Sequence, residues 1–118
     1  MAFLSRIIGN GISPFQAANI NGDYADNLTA AGSTQTDALQ LNSTYNIVTT
    51  AAAGTGVRLM AGEPSSEIVI KNLGANTINV YPPVGGNFNG GTTNSPITVA
   101  AGAAQWIIGR SALVWITA

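Results

Sequence analysis

The sequence contains no cysteine and no histidine. Without cysteine the chain cannot form a disulfide, offer a thiolate nucleophile or build a Cys-bearing zinc site. Without histidine it lacks the usual general base of enzymes and the commonest metal ligand in proteins. We therefore expect a protein that is not an enzyme, with no catalytic residues, no metal and no cofactor.

Charged side chains are also scarce. They make up 8% of the 118 residues and give a formal net charge of −1, whereas ordinary soluble domains contain about 25%. The four Lys and Arg residues cannot supply the phosphate neutralisation on which nucleic-acid binding depends. Neutral polar residues take the place of the charges, with 12 Thr, 12 Asn, 8 Ser and 4 Gln. We expect no nucleic-acid partner and a polar, nearly neutral surface.

Long hydrophobic runs are missing as well. No apolar stretch approaches the about 20 residues that a membrane-spanning helix needs. The first apolar run is broken by Ser5 and Arg6 and ends at Gly9, and a secretory signal requires roughly 7–15 uninterrupted apolar residues. We expect no membrane contact and a chain made in a cytoplasm, which the absence of cysteine fits.

The chain changes character near residue 35. Residues 1–35 mix apolar side chains with Gly, Asn and Pro, which interrupt regular structure, and this predicts an extended N-terminal arm. The apolar residues least able to form a core of their own are Phe3, Leu4, Ile7, Ile8 and Phe15. We expect these five residues to bind a partner chain and become ordered there. The alternative is that the arm folds back on its own domain.

Residues 36–118 predict an all-β domain. Short segments with alternating apolar residues recur at 37–42, 45–50, 57–60, 67–72, 77–81, 96–100, 104–108 and 112–117. Segments 67–72 and 77–81 predict one β-hairpin, and segments 104–108 and 112–117 predict another. Short strands at this spacing are typical of an antiparallel β-sandwich, either jelly-roll-like or Ig-like, and we expect that fold.

Three aromatic residues are candidates for the core or for a binding surface. Trp106 and Trp115 each alternate in phase with other apolar residues, which favours core packing, although an exposed Trp could stack on a sugar ring. Phe88 lies in the glycine-rich loop 84–95. We expect Phe88 to be an exposed contact residue, because binding residues are often carried by loops.

The acidic and glycine-rich segments do not match a calcium-binding or a phosphate-binding loop. Asp23 and Asp26 lack the spacing of a calcium-binding loop and predict a hydrogen-bonded turn. The glycine-rich runs at 54–56 and 85–91 are not followed by the helix and lysine of a phosphate-binding loop. They predict flexible connections between strands.

One pattern of strand and turn segments extends through residues 35–118. It consists of the segments Asp37–Leu41, Tyr45–Val48, Ile68–Pro82, Gly85-Gly86, Asn89-Gly90 and Ile97–Gly102, and of Trp115. This pattern resembles a recurrent module of tailed-bacteriophage virion proteins, which is found in small auxiliary capsid proteins, called cement or decoration proteins, and in tail-fibre-like proteins. It has no catalytic signature, and it does not include the arm.

The resemblance implies a β-sandwich structural protein of the virion. A cement protein would lie on the outer surface of the capsid, contact the major capsid protein and stabilise the lattice. It would also form a homo-oligomer, for which we favour a trimer over a dimer because a capsid offers three-fold sites. The alternative is a tail-fibre or receptor-binding module that recognises a cell-surface glycan through Phe88 and its loop.

Overall fold

The computed structural model describes residues 23–118, and these residues form ten β-strands. None of them lies in a helix, so this part of the chain has no helix that could span a membrane. The all-β class expected from the sequence is confirmed. The strands are β1 (Tyr24–Thr29), β2 (Leu39–Gln40), β3 (Tyr45–Thr50), β4 (Gly56–Arg58), β5 (Glu67–Asn72), β6 (Ile78–Tyr81), β7 (Asn87–Phe88), β8 (Ile97–Val99), β9 (Ala104–Gly109) and β10 (Val114–Thr117).

Successive strands alternate between two sheets. The large sheet has six strands in the order β1-β3-β5-β9-β10-β7, and the small sheet has four in the order β2-β4-β6-β8. From β1 to β9 every odd-numbered strand belongs to the large sheet and every even-numbered strand to the small one. Each connection in that part of the chain therefore crosses from one sheet to the other.

The first six strands stack in parallel. β3 pairs in parallel with both β1 and β5, and β4 pairs in parallel with both β2 and β6. The chain therefore winds through three coils in the manner of a β-solenoid. Only then do β8, β9 and β10 add antiparallel pairs, while β7 lies parallel to β10. The sheets are mixed, so the expected antiparallel pairing holds for the later strands and not for the coils.

The predicted hairpin between 67–72 and 77–81 is wrong, because β5 and β6 lie in different sheets. The buried side chain of Asn72 holds the connection between them. Its Nδ2 donates to the carbonyl oxygens of Asn76 and Val99 at 2.9 and 3.0 Å, and its Oδ1 accepts from the Gly74 N–H at 2.9 Å. These bonds replace the backbone ladder that a hairpin would have made. The other predicted hairpin is confirmed, since β9 and β10 are antiparallel neighbours.

The core lies between the two sheets. Alternate residues of each strand point into it, as the period of two requires. The sequence pattern identified most of these residues, including Val57, Leu59, Ile68, Ile70, Ile78 and Val80, each at most 3% exposed. Trp115 is 1% exposed, so its expected place in the core is confirmed.

The large sheet includes residues that the sequence assigned to the arm. Tyr24–Thr29 form β1 and pair with β3, although the predicted domain began at residue 36. The register shifts between Ala25 and Thr29, where Asn27 has a φ of 54° and its N–H donates to the Asp26 carboxylate. This bulge interrupts the alternation that would have revealed the strand.

The loop from β1 to β2 is closed by Asp37. Its Oδ1 accepts hydrogen bonds from the Ser33 N–H at 3.0 Å and from the N–H and hydroxyl of Thr34, both at 2.8 Å. The Thr34 hydroxyl and the two N–H groups lower the pKa of Asp37. Gly32 passes beside this carboxylate with a φ of 69°, and a Cβ there would collide with the Asp37 side chain. Only glycine suits that position.

Phe88 is buried, which corrects the prediction of an exposed loop contact. It is 6% exposed and belongs to the core cluster. The glycine-rich loop is held against β10, because the N–H groups of Asn87 and Asn89 donate to the carbonyl oxygens of Leu113 and Trp115 at 3.0 and 2.9 Å. Phe88 consequently pairs with Trp115 in register and shares its inward face.

Replacing Phe88 by Ala should destabilise the protein by about 3–5 kcal/mol, the usual cost of emptying a buried aromatic site. The matched control is Trp106→Ala, which removes a half-exposed side chain and should cost about 1 kcal/mol or less. Urea unfolding of dilute protein measures both. Equal losses for the two variants would contradict the burial of Phe88.

Candidate interaction surface

Four side chains line up across the outer surface of the large sheet. Tyr24 is the register partner of Tyr45, Tyr45 of Val69, and Val69 of Trp106. Register partners lie side by side on the same face of a sheet. We call these four residues the aromatic row. It crosses three strand spacings of about 4.8 Å each, or about 14 Å in all.

The aromatic row points to solvent because its chain neighbours fill the core. The immediate chain neighbours of Tyr45, Val69 and Trp106 include four buried residues. These are Asn46, Ile68, Ile70 and Ile107. Tyr24 is 65% exposed, Tyr45 38% and Trp106 50%. The alternation that builds the core therefore also places three aromatic side chains outside.

The row is the centre of a larger apolar surface, which we call the outer face. Ile47 on β3, Ile108 on β9 and Ile116 on β10 have the same orientation as the row. Ile108 is exposed, and Ile47 and Ile116 are partly exposed. Contiguous apolar patches of more than a few hundred Å² are rare on proteins that remain monomeric, and such patches mark interaction sites.

Few charges interrupt the outer face, and their positions are specific. On β5, Glu67 and Lys71 lie on either side of Val69 along the strand and share its orientation. Lys71 Nζ donates to the Gly102 carbonyl at 2.6 Å. At the edge of the sheet the Tyr24 hydroxyl donates to Asp26 Oδ2 at 3.1 Å, and this bond to a carboxylate raises the pKa of Tyr24.

Trp106 was expected in the core and lies instead on the outer face. The pattern correctly placed Trp106 and Ile108 on one side of the strand, because both are exposed. It did not identify which side faces inward. The intervening residue, Ile107, is fully buried and fills the core, so the large aromatic points out.

The edges of the sheets are poor sites for association. β2 and β7 have two residues each and β8 has three, and β1 carries the bulge at Asn27. Short and bulged edge strands prevent a second chain from adding to a sheet. In the described part of the chain the outer face is better suited to association with another chain.

A cleft of about 280 Å³ opens where the small sheet connects to the large one. The residues that line it include Asp23, Glu67 and Trp115, together with the polar residues Asn42, Ser43, Thr44 and Ser66. Asp26 bonds to Tyr24 and does not line the cleft. Among residues 23–118, no three His, Cys, Asp or Glu residues are grouped to hold a metal ion.

The other residues expected to bind a partner are the five apolar residues of the arm. Phe3, Leu4, Ile7, Ile8 and Phe15 lie outside the described residues. Tyr24, Tyr45 and Val69 were not singled out from the sequence, because they are adjacent only through parallel pairing between coils. Their sequence signal was the outward position in each strand, which by itself does not distinguish a binding residue from an ordinary surface residue.

The exposure of Trp106 can be tested with Trp106→Phe in dilute solution. The wild-type emission should be quenched strongly by acrylamide, because half of the Trp106 side chain is exposed. The variant should retain the emission of buried Trp115, which should be shifted to the blue and resist quenching. If quenching is unchanged by the substitution, Trp106 is not on the surface.

The features that bear on function are thus the outer face, the short edges and the low charge of the chain. No family model, curated protein or solved structure matches the chain.

Proposed function

We propose that this chain is a cement protein of a tailed bacteriophage, bound to the outer surface of the capsid. The observation that carries the proposal is the outer face, an exposed apolar surface with three aromatic side chains on the six-stranded sheet. Exposed apolar area is favourable only where another protein removes it from water. A structural protein that works by binding other proteins accounts for this surface without any catalytic group.

The low charge supports a place in a dense protein lattice. With 8% charged residues and a net charge of −1, neighbouring copies would repel one another little. The segments on which the proposed resemblance rests contribute residues of β5, residues of β6 and Trp115 to the core.

Cement proteins stabilise a capsid by mass action. A chain that binds the assembled shell and not its separated subunits shifts the equilibrium toward the shell. In this proposal Phe3, Leu4, Ile7, Ile8 and Phe15 are buried against the major capsid protein. Burial of one such side chain contributes about 1.5–3 kcal/mol, and the contribution is repeated at every copy on the shell.

A second candidate is a tail-fibre or receptor-binding module that recognises a cell-surface glycan. The residue that first suggested it, Phe88, is buried and cannot stack on a sugar. The aromatic row offers another surface, because Tyr45 and Trp106 are exposed two strands apart. Sugar rings can pack on exposed aromatic faces. In this case Trp106→Ala would abolish glycan binding and leave capsid stability unchanged.

The capsid proposal predicts that deletion of residues 1–15 releases the protein from expanded capsids. Bound copies should fall to near background, because the five apolar contacts are lost, while the β-domain keeps its melting temperature. Co-sedimentation with capsids of the phage that encodes the chain, followed by quantitative mass spectrometry, measures this. Leu113→Ala, which removes an exposed apolar side chain elsewhere, should bind like wild type. Full binding of the truncated chain would overturn the role of the arm.

A further inference from the structure

The outer face carries opposite charges in a symmetric arrangement. β5 is an interior strand of the large sheet, and its outward residues are Glu67, Val69 and Lys71 in that order. Val69 belongs to the aromatic row, so one charge lies on each side of the row at equal spacing along the strand. A rotation that turns the strand end for end exchanges the two charges.

We propose that the outer face binds a second copy of this chain, packed face to face about a two-fold axis that runs along the aromatic row. In this arrangement β5 of one copy lies over β5 of the other with its direction reversed. Glu67 then faces Lys71 of the second copy, and Lys71 faces its Glu67. The two aromatic rows meet between these ion pairs, where their side chains are removed from water.

The charges select this arrangement over the other two-fold packing. An axis parallel to the strands would place Glu67 over Glu67 and Lys71 over Lys71 in the second copy. Like charges opposed across an interface cost several kcal/mol. The reversed packing converts both contacts into attractions, which makes the outer face self-complementary, as every two-fold interface must be.

The size of the outer face is sufficient for a small interface. Five strands of up to six residues cover about 24 Å by 20 Å, given strand spacings of about 4.8 Å and a rise of about 3.3 Å per residue. Two such faces in contact bury on the order of 1,000 Å², the lower limit for a specific interface. Aligned sheets pack about 10 Å apart, a separation that Glu and Lys side chains can bridge from both sides.

Self-association assigns the outer face to a second copy and leaves the contact with the capsid to the arm. It therefore extends the proposed function but does not depend on it. A dimer would present two arms, and a bivalent protein holds a lattice more tightly than two separate copies. If the chain is not a phage protein, the dimer is still expected. The oligomeric state of purified full chain therefore tests this inference separately from capsid binding.

The decisive experiment is sedimentation equilibrium of the full chain and of three variants, Glu67→Lys, Lys71→Glu and the double variant. We expect the wild type to form a dimer, and not the trimer that the three-fold sites of a capsid suggested. Each single reversal should raise the dimer dissociation constant about tenfold or more, because it opposes like charges at two symmetric contacts. The double variant restores opposite charges and should regain most of the wild-type affinity.

Melting temperatures of the monomers serve as the folding control. Lys71→Glu also removes the hydrogen bond to Gly102. Among residues 23–118 the Glu67 side chain makes no hydrogen bond, which makes Glu67→Lys the cleaner single variant. Trp106→Lys, at a half-exposed position, should abolish the dimer without unfolding the chain.

Four outcomes would overturn the inference. These are a full chain that stays monomeric at millimolar concentration, a trimer, a dimer that survives Trp106→Lys, and a double variant as weak as the single ones. A monomer whose Trp106 fluorescence responds to oligosaccharides would assign the outer face to a glycan instead.

Discussion

The structure depends on the way consecutive strands are divided between two sheets. Because β1 to β6 alternate between the sheets, neighbours in sequence meet through their side chains and not through backbone hydrogen bonds. The ladders then join strands one coil apart. The buried amide of Asn72 enforces one of these crossings by bonding to the connection and to the Val99 carbonyl. Without such crossings the same strands would pair as hairpins, and neither the core nor the outer face would form.

The stacking of coils explains how the outer face forms. Parallel registers bring Tyr24, Tyr45 and Val69 side by side although they are distant in sequence. The antiparallel strand β9 then extends the row with Trp106. Four of the large apolar side chains that are exposed in the described residues, Tyr24, Tyr45, Trp106 and Ile108, therefore share one face. In our proposal this face, and not a sheet edge, is where a second chain binds.

The sequence predicted well how side chains alternate along each strand, and it predicted poorly which strands pair with one another. The period of two correctly predicted that Ile68 and Ile70 lie on one side of β5. It also correctly predicted that Trp106 and Ile108 lie on one side of β9, because backbone pleating alone determines this. It could not reveal which side is buried, since that depends on which strand lies opposite. Hairpins and sheet-to-sheet crossings share the same pattern of apolar segments and turns, so β5 and β6 were misassigned. The prediction that Phe88 is exposed was wrong because its neighbours Asn87 and Asn89 bond to Leu113 and Trp115, which are distant in sequence. These bonds hold the loop against the sheet and bury Phe88.

The proposal that this chain is a lattice-binding structural protein is best tested by counting its copies in purified phage particles. Quantitative mass spectrometry gives the number of copies relative to the major capsid protein. We predict a ratio near one, or a simple large fraction of it, because a cement protein occupies equivalent sites over the whole shell. A handful of copies per particle would refute the proposal and would place the chain on the tail or at a single vertex.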